Sequence, residues 1–235
     1  MCGRYTLSAT EAAIIEAFAV KDVFMETALT PRFNLAPTQQ APIIYAQDGR
    51  RVLTTYQWGL VPFFAKEAGS KAMINARAET LAEKPFFKTA LNRRRCLVPA
   101  DGFYEWLPAA STAKGARKQP VWIHLKNSEP GPRLFAFAGL YDTNKNIDPA
   151  KPLNTFTIIT TSANATISPV HSRMPVILSP QAIDIWLNPT VQSPEQLLPL
   201  LNGAPDDIIE MYQVSTKVNS PAYDASELIE KLESD

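Results

Sequence analysis

Between Ser8 and Val20 the apolar residues Ile14, Ile15 and Phe18 recur at helical spacing, and Ser8 with Glu11 three residues on reads as a capping box. The pattern predicts a helix over Ala9 to Val20. Near the other end, Ser179-Pro180 and Ser193-Pro194 each set a capping serine before a proline suited to the first helical position. Ile183, Ile185 and Trp186 follow the first pair and Leu197, Leu198, Leu200 and Leu201 the second, so two short helices are expected, with a last one over Ser226 to Leu232. Between these ends the apolar runs are short and strand-like: Ala41 to Tyr45, Val52 to Trp58, Cys96 to Val98, Val121 to Leu125, Leu134 to Gly139, Phe156 to Thr160 and Val176 to Leu178. Asp48-Gly49, Asp101-Gly102 and Asn127-Ser128 punctuate them as turns.

Strands outnumber helices and do not alternate with them, which favours an α+β fold on a mainly antiparallel, barrel-like sheet over a doubly wound parallel one. Proline and glycine are spread along the chain without a composition shift, so one domain over residues 1–235 is expected. The small and polar segment Pro108 to Gln119 reads as an exposed, mobile loop. No internal repeat and no glycine-rich phosphate loop is present.

Charge removes some function classes. The 23 basic and 23 acidic side chains balance, which argues against coating nucleic acid through bulk charge while leaving room for a local groove. The densest basic run, Asn92-Arg93-Arg94-Arg95 with Lys88 before it, reads as a solvated face. No apolar run approaches the roughly 18 residues of a membrane span, and no signal region follows Met1, so a soluble, cytoplasmic protein and a monomer are expected. Two cysteines and two histidines far apart give neither a disulfide framework nor metal-ligand spacing; no metal and no cofactor are expected.

The candidate chemistry begins at Cys2. A small side chain after the initiator permits removal of Met1, and a cysteine at the terminus is a 1,2-aminothiol. Its α-amine, with a reference pKa of about 8, is available near neutrality, and its thiol lies close by. Such a group can condense with an aldehyde and close a five-membered thiazolidine, or its thiolate can attack an acyl carbon; a cysteine near a frayed terminus can equally have no role. In Met73 to Glu79, read as extended, Asn75, Arg77 and Glu79 share one face. Asn75 can orient an amine or an oxygen, or satisfy backbone groups, and Arg77 can grip a phosphate. A turn at Asp101-Gly102 delivers Glu105 among Phe103, Tyr104 and Trp106, whose rings would desolvate its carboxyl and raise its pKa toward the range useful for proton transfer. His171, in His171-Ser172-Arg173-Met174-Pro175, is a candidate proton shuttle. His124 alternates with the apolar face of a strand and reads as structural or solvent-facing, and Cys96 as a small buried hydrophobe.

Six motifs stand in one order: Met1-Cys2-Gly3-Arg4-Tyr5, Arg32 to Pro37, Trp58-Gly59-Leu60-Val61-Pro62, Ile74 to Thr80, Gly102 to Trp106 and His171 to Pro175, with Val214-Ser215 and Val218-Asn219 as a fainter tail. Together they resemble the SRAP family, the SOS-response-associated peptidase proteins of bacteria and their eukaryotic relatives, over nearly the whole chain. The resemblance implies a protein that recognises abasic sites in single-stranded DNA and links to them covalently: processed Cys2 forms a Schiff base through its amine and a thiazolidine through its sulfur. It implies that Asn75 positions the amine or a sugar oxygen, that Glu105 moves protons during imine formation and ring closure, and that His171 assists at the deoxyribose. A lyase reaction by β-elimination would compete, and the same site would remove Met1 by autoproteolysis.

For DNA binding the resemblance implies Arg4, Arg77 and Arg173 on phosphates, with Pro37, Trp106 and an aromatic after Pro62 stacking or wedging against bases. Many relatives carry tryptophan in that wedge, where this chain has Phe63-Phe64. Two other readings stand beside it: an N-terminal-nucleophile hydrolase acting on acyl bonds in trans, and a noncovalent single-stranded-DNA module in which Cys2 is incidental.

Overall fold

The computed structural model describes residues 2–67, 72–108, 118–126 and 133–233. In chain order the described residues form β1 (Tyr5–Leu7), α1 (Glu11–Ala17), β2 (Asp22–Phe24), β3 (Arg32–Leu35), β4 (Gln40–Gln47), β5 (Arg50–Trp58), β6 (Asn75–Arg77), α2 (Pro85–Arg93), β7 (Arg95–Ala100), β8 (Gly102–Trp106), β9 (Pro120–Leu125), β10 (Phe135–Asn144), β11 (Leu153–Ser162), β12 (Arg173–Pro175), α3 (Pro180–Leu187), α4 (Pro194–Leu197) and β13 (Ile209–Gln213). They make two sheets. The smaller runs β13-β9-β8-β1-β3 and the larger β12-β11-β10-β7-β4-β5-β2, with β6 laid on β11. Most pairings are antiparallel, as the alternating pattern predicts; β2 on β5, β6 on β11 and the short contact of β5 with β11 are parallel. β11 also meets β5 over two residues, so the larger sheet curls back on itself without forming a regular closed barrel. The fold is α+β.

Local chemistry explains several elements. β4 and β5 are joined by Asp48 and Gly49, whose φ angles of 50° and 75° match the two left-handed positions of a type I′ hairpin turn. Ser179 caps α3 by accepting from Ala182 N at 3.2 Å. One apolar cluster runs through both sheets, with Trp58, Phe103, Phe137 and Phe156 fully buried. A smaller one packs Tyr104 and Trp122 beneath Val214, Val218 and Leu228. The segment after β13 is thus strapped across the small sheet. Gly102 is where backbone meets ring: a Cβ there would lie 2.2 Å from Trp122 Nε1.

Other expectations are corrected. The cap of α1 is Thr10, which accepts from Ala13 N, because the rival partners are taken elsewhere. Ser8 turns its hydroxyl to Asp101 at 2.7 Å, and Glu11 accepts from Leu29 N, so no capping box forms. Residues 176–178 form no strand; Ile177 makes a single bridge to Phe137, and the strand lies just before it as β12. The last helix is a short 3₁₀ turn at Ser226–Ile229, and Ser193 makes no side-chain cap on α4. Helix α2 and strands β1, β2, β3 and β13 carry too little periodicity for the sequence to show them. Of the loop expected over Pro108 to Gln119, residues 109–117 lie outside the described ones; Pro108 is exposed and Leu107 N donates to Gln119 O at 2.9 Å across its base. The Asn127-Ser128 turn also lies outside them.

The basic run is not a uniform solvated face. Arg93 is exposed, but Arg95 is buried, and its guanidinium donates to Leu91 O and Asn92 O in the last turn of α2, and to Trp186 O, Asn188 O and Val191 O at the end of α3. One cation therefore closes the carbonyl ends of two helices, where the helix dipole favours positive charge. Burial pulls its pKa down to about 10, which keeps it charged at neutral pH.

Candidate active site

Cys2 is fully buried although it is the second residue. Strand β1 pairs antiparallel with β8 in the register Tyr5 to Phe103 and Thr6 to Gly102, and Tyr104 N donates to Arg4 O at 3.0 Å. Continuing that register brings Glu105 opposite Gly3, beside Cys2. The third partner arrives from the other sheet. β6 lies along β11, with Asn75 level with Ile158, and Asn75 Nδ2 donates to the backbone oxygen of Cys2 at 2.9 Å. Asn75 Oδ1 is buried without a hydrogen-bond partner among the described residues. The thiol points to Arg4 O at 3.9 Å.

Burial, and then the Glu105 carboxylate, push the Cys2 thiol far above its ordinary value, so it is protonated in this state. Burial likewise raises Glu105, opposed by neighbouring positive charge that includes His171. His171 lies past the turn after β11, half-buried, and its Nδ1 accepts from Arg173 N at 2.9 Å. With that bond accepted at Nδ1, the neutral ring carries its proton on Nε2. Cys2, Asn75, Glu105 and His171 therefore come together from four segments.

The arginines expected on phosphates differ in their surroundings. Arg77 is exposed, and its guanidinium has no hydrogen bond or ion pair among the described residues. Arg173 is gripped by both oxygens of Glu79, at 2.6 and 2.9 Å, and donates to Thr160 O at 2.6 Å. The two sit on opposite edges of β11, since Thr160 pairs with Arg77 on one side and Pro175 on the other. Arg173 holds Glu79 below the ordinary carboxylate range. Arg4 turns inward, donating to Asn34 Oδ1 and Val218 O at 2.7 Å and to Asn219 O at 3.3 Å. With Asn34, which donates to Val218 O, Ser220 O and Tyr223 O, it ties the C-terminal strap to the strand that carries Cys2.

Among the aromatic candidates, Phe63 and Phe64 are 43% and 55% exposed, and Pro37 and Trp106 are half-buried, with Trp106 Nε1 donating to Asn219 Oδ1 at 2.7 Å. His124, read as structural or solvent-facing, is half-buried and stacks on Trp122 at 4.2 Å, and Cys96, read as a small buried hydrophobe, is fully buried. Three features escaped the sequence. Glu79 is the partner of Arg173; the Tyr5 hydroxyl is buried without a partner among the described residues; and Asp142, Asn144 and Asn146 brace the backbone of 62–65. The extended reading of Met73 to Glu79 is corrected here: the strand ends at Arg77 and Ala78–Thr80 form a 3₁₀ turn, so Glu79 is not on a strand face with Arg77 but reaches Arg173 from that turn. A groove of about 890 Å³ lined by Phe24, Leu29, Arg32, Tyr56 and Asn154 among others touches none of the predicted residues. Among the described residues no cluster of three or more metal-ligating side chains occurs, and no helix is long and apolar enough to cross a membrane.

The chain is 44% identical over 232 residues to the abasic site processing protein YoqW of Bacillus subtilis, covering 98% of this chain and 99% of that one. It is 31% identical to the abasic site processing protein HMCES of Gallus gallus, over 99% of this chain and 78% of the relative. A crystal structure of a Bacteroides thetaiotaomicron protein superposes with a TM-score of 0.82 at 26% identity, covering 99% of this chain and all of that one. The profile of the SOS response associated peptidase (SRAP) family matches residues 1–221. With that match running from the buried Cys2 through the segments that supply Asn75, Glu105 and His171, the chain belongs to the SRAP family.

Proposed function

We propose that this protein recognises abasic sites in single-stranded DNA and joins them covalently to Cys2 after Met1 has been removed. The observation that carries the reading is the hydrogen bond from Asn75 Nδ2 to the Cys2 carbonyl, which holds an N-terminal nucleophile in place beside a carboxyl of raised pKa. Asn75 positions Cys2 through its backbone, and its open Oδ1 is available to accept from the freed α-amine or from a sugar hydroxyl.

The electrostatics order the steps. With the thiol held neutral by burial, the α-amine attacks the ring-opened aldehyde first. Glu105 in its protonated form gives a proton to the departing hydroxyl, which leaves as water, and its carboxylate takes back the proton of the nitrogen, so that a neutral imine remains. The thiol then adds to the imine carbon, its proton passing to nitrogen, and the thiazolidine closes; the net change is loss of one water. The imine also acidifies the adjacent sugar carbon, so loss of that proton with departure of the 3′ phosphate is the competing lyase path, in which this reading assigns His171 the proton transfer at the deoxyribose. The same carboxyl and amide serve the hydrolysis of the Met1–Cys2 bond, which consumes one water.

In this reading Arg77 supplies the phosphate contact directly. Arg173 reaches a phosphate by exchanging it for the Glu79 carboxylate, and Arg4 acts by holding the strand that presents Cys2. Phe63, Phe64, Trp106 and Pro37 offer flat surfaces to bases.

Intact-protein mass spectrometry tests this, on the protein alone and after incubation with an oligonucleotide carrying one abasic site. Loss of the methionine mass, followed by a gain equal to the oligonucleotide minus water that is absent in Cys2→Ala, is expected. A processed protein that gives no adduct overturns the reading, and turnover of a peptide without DNA would replace it with the hydrolase.

A further inference from the structure

We infer that Asn219, on the strap that crosses the small sheet after β13, is a positioning residue for the reaction at Cys2: it sets the spacing of the N-terminal nucleophile and the Glu105 carboxyl by holding the side chains next to each. This rests on the reading of the Cys2 site given above and adds to it a residue from the far end of the chain.

The need for such a residue follows from where the backbone pairing stops. β1 and β8 are registered at Tyr5 with Phe103 and at Thr6 with Gly102, and beyond these Tyr104 N donates to Arg4 O at 3.0 Å. Cys2 and Glu105 lie one step further out, at the ends of the two segments. Backbone at the end of a ladder opens more easily than backbone inside it. A shift of an ångström between a nucleophile and its proton donor lowers the rate steeply.

Asn219 spans this end from the outer face of the sheet. Arg4 Nη1 donates to Val218 O at 2.7 Å and Arg4 Nη2 to Asn219 O at 3.3 Å, while Trp106 Nε1 donates to Asn219 Oδ1 at 2.7 Å. Arg4 is two residues from Cys2, and Trp106 follows Glu105. Successive side chains of a strand point to opposite faces. Tyr104 and Trp106 accordingly pack with Trp122 beneath the strap, and Glu105 between them lies on the face of Cys2, whose thiol its charge raises. An indole has a single N–H, so all the hydrogen bonding of the Trp106 side chain goes to Asn219, and that bond fixes the end of β8.

Asn219 is itself held in place. Val218 before it is fully buried with Tyr104, Trp122 and Leu228, and Asn34 Nδ2 donates to Val218 O at 3.2 Å and to Ser220 O at 2.9 Å, so both neighbours are pinned. Asn219 is exposed and fills no part of the core. Losing its side chain therefore acts on the geometry of the site more than on stability.

The test uses the full-length protein and an excess of an oligonucleotide carrying one abasic site, with the rate of adduct formation followed as the oligonucleotide concentration is raised. Asn219→Leu is expected to melt near wild type, to lower the limiting rate about tenfold, and to move the half-saturating concentration by less than about twofold. Trp106→Phe cuts the same bond from its other end and is expected to lower the limiting rate by a like factor, with the double variant falling no further than either single one. Asn219→Asp, whose oxygen accepts the same N–H, is expected to recover most of the rate. An unchanged limiting rate in Asn219→Leu, a loss confined to the half-saturating concentration, losses that multiply in the double variant, or no recovery with aspartate overturns the assignment. Should the leucine variant fail to fold, the limiting rate of Trp106→Phe decides in the same way. Absence of any adduct with the wild type instead removes the functional reading on which the assignment rests.

Discussion

Arg95 and the Cys2 site both bury ionisable groups, and they satisfy them in opposite ways. The five N–H groups of Arg95 meet carbonyl oxygens at 2.5 to 2.9 Å, and the Trp186 ring lies beside it. Around Cys2 the thiol has only a long contact, Asn75 Oδ1 and the Tyr5 hydroxyl have no partner among the described residues, and Cys2 and Glu105 are both pushed up by burial. A saturated buried charge is architecture, whereas polar groups left short of partners beside a shifted carboxyl mark a place kept for something else.

The largest effect is expected where saturation is broken. Arg95→Met leaves the carbonyl ends of α2 and α3 without their donor, and should cost about 3–5 kcal/mol and lower the melting temperature by roughly 10 °C. Thermal unfolding at neutral pH checks it; an unchanged midpoint would mean that the two helix ends recruit water at no cost.

At the other pole, Glu105→Gln should slow adduct formation about a hundredfold while making the protein more stable. The sign follows from burial, which raises the folded-state value above the unfolded one. The stability associated with that proton is complete below the ordinary carboxylate pKa and is lost as pH rises through the raised value. The glutamine variant should therefore melt higher than wild type at neutral pH, with the advantage vanishing at acid pH. A variant that is less stable at neutral pH would place Glu105 with Arg95, as a structural group.

The smallest effect is expected at Arg77, which belongs to neither pole. Arg77→Ala should leave the melting temperature unchanged, weaken DNA binding, and reduce the salt slope by about one phosphate's share. An unaltered slope would show that its exposure is incidental.

Much of the molecule was legible residue by residue. The runs Ala41 to Tyr45, Val52 to Trp58 and Val121 to Leu125 are strands because alternation and β-branched content are local properties, and Asp48-Gly49 turns because its two backbone positions need left-handed angles. Cys2 and Glu105 stood out in the sequence as candidates, one by its place after Met1 and the other by three neighbouring rings. The three-residue strands β1, β6 and β12 have no periodicity of their own and exist because a partner strand accepts their hydrogen bonds. Ser8 looked like a cap until Asp101, 93 residues away, competed for it.

The sequence by itself determined which chemical groups are available, in what order, and the local elements that carry them. Only the tertiary structure decided which of those groups meet: Asn75 reaches the Cys2 carbonyl across 73 residues because β6 registers on β11 while β1 registers on β8. It also decided what each arginine is for. Arg4, Arg77, Arg95 and Arg173 are the same side chain in sequence, and one ties a strap, one faces solvent, one closes two helices and one holds a glutamate. A guanidinium takes its role from the acceptors placed around it, and sheet register and helix packing place those acceptors over distances that no local pattern spans.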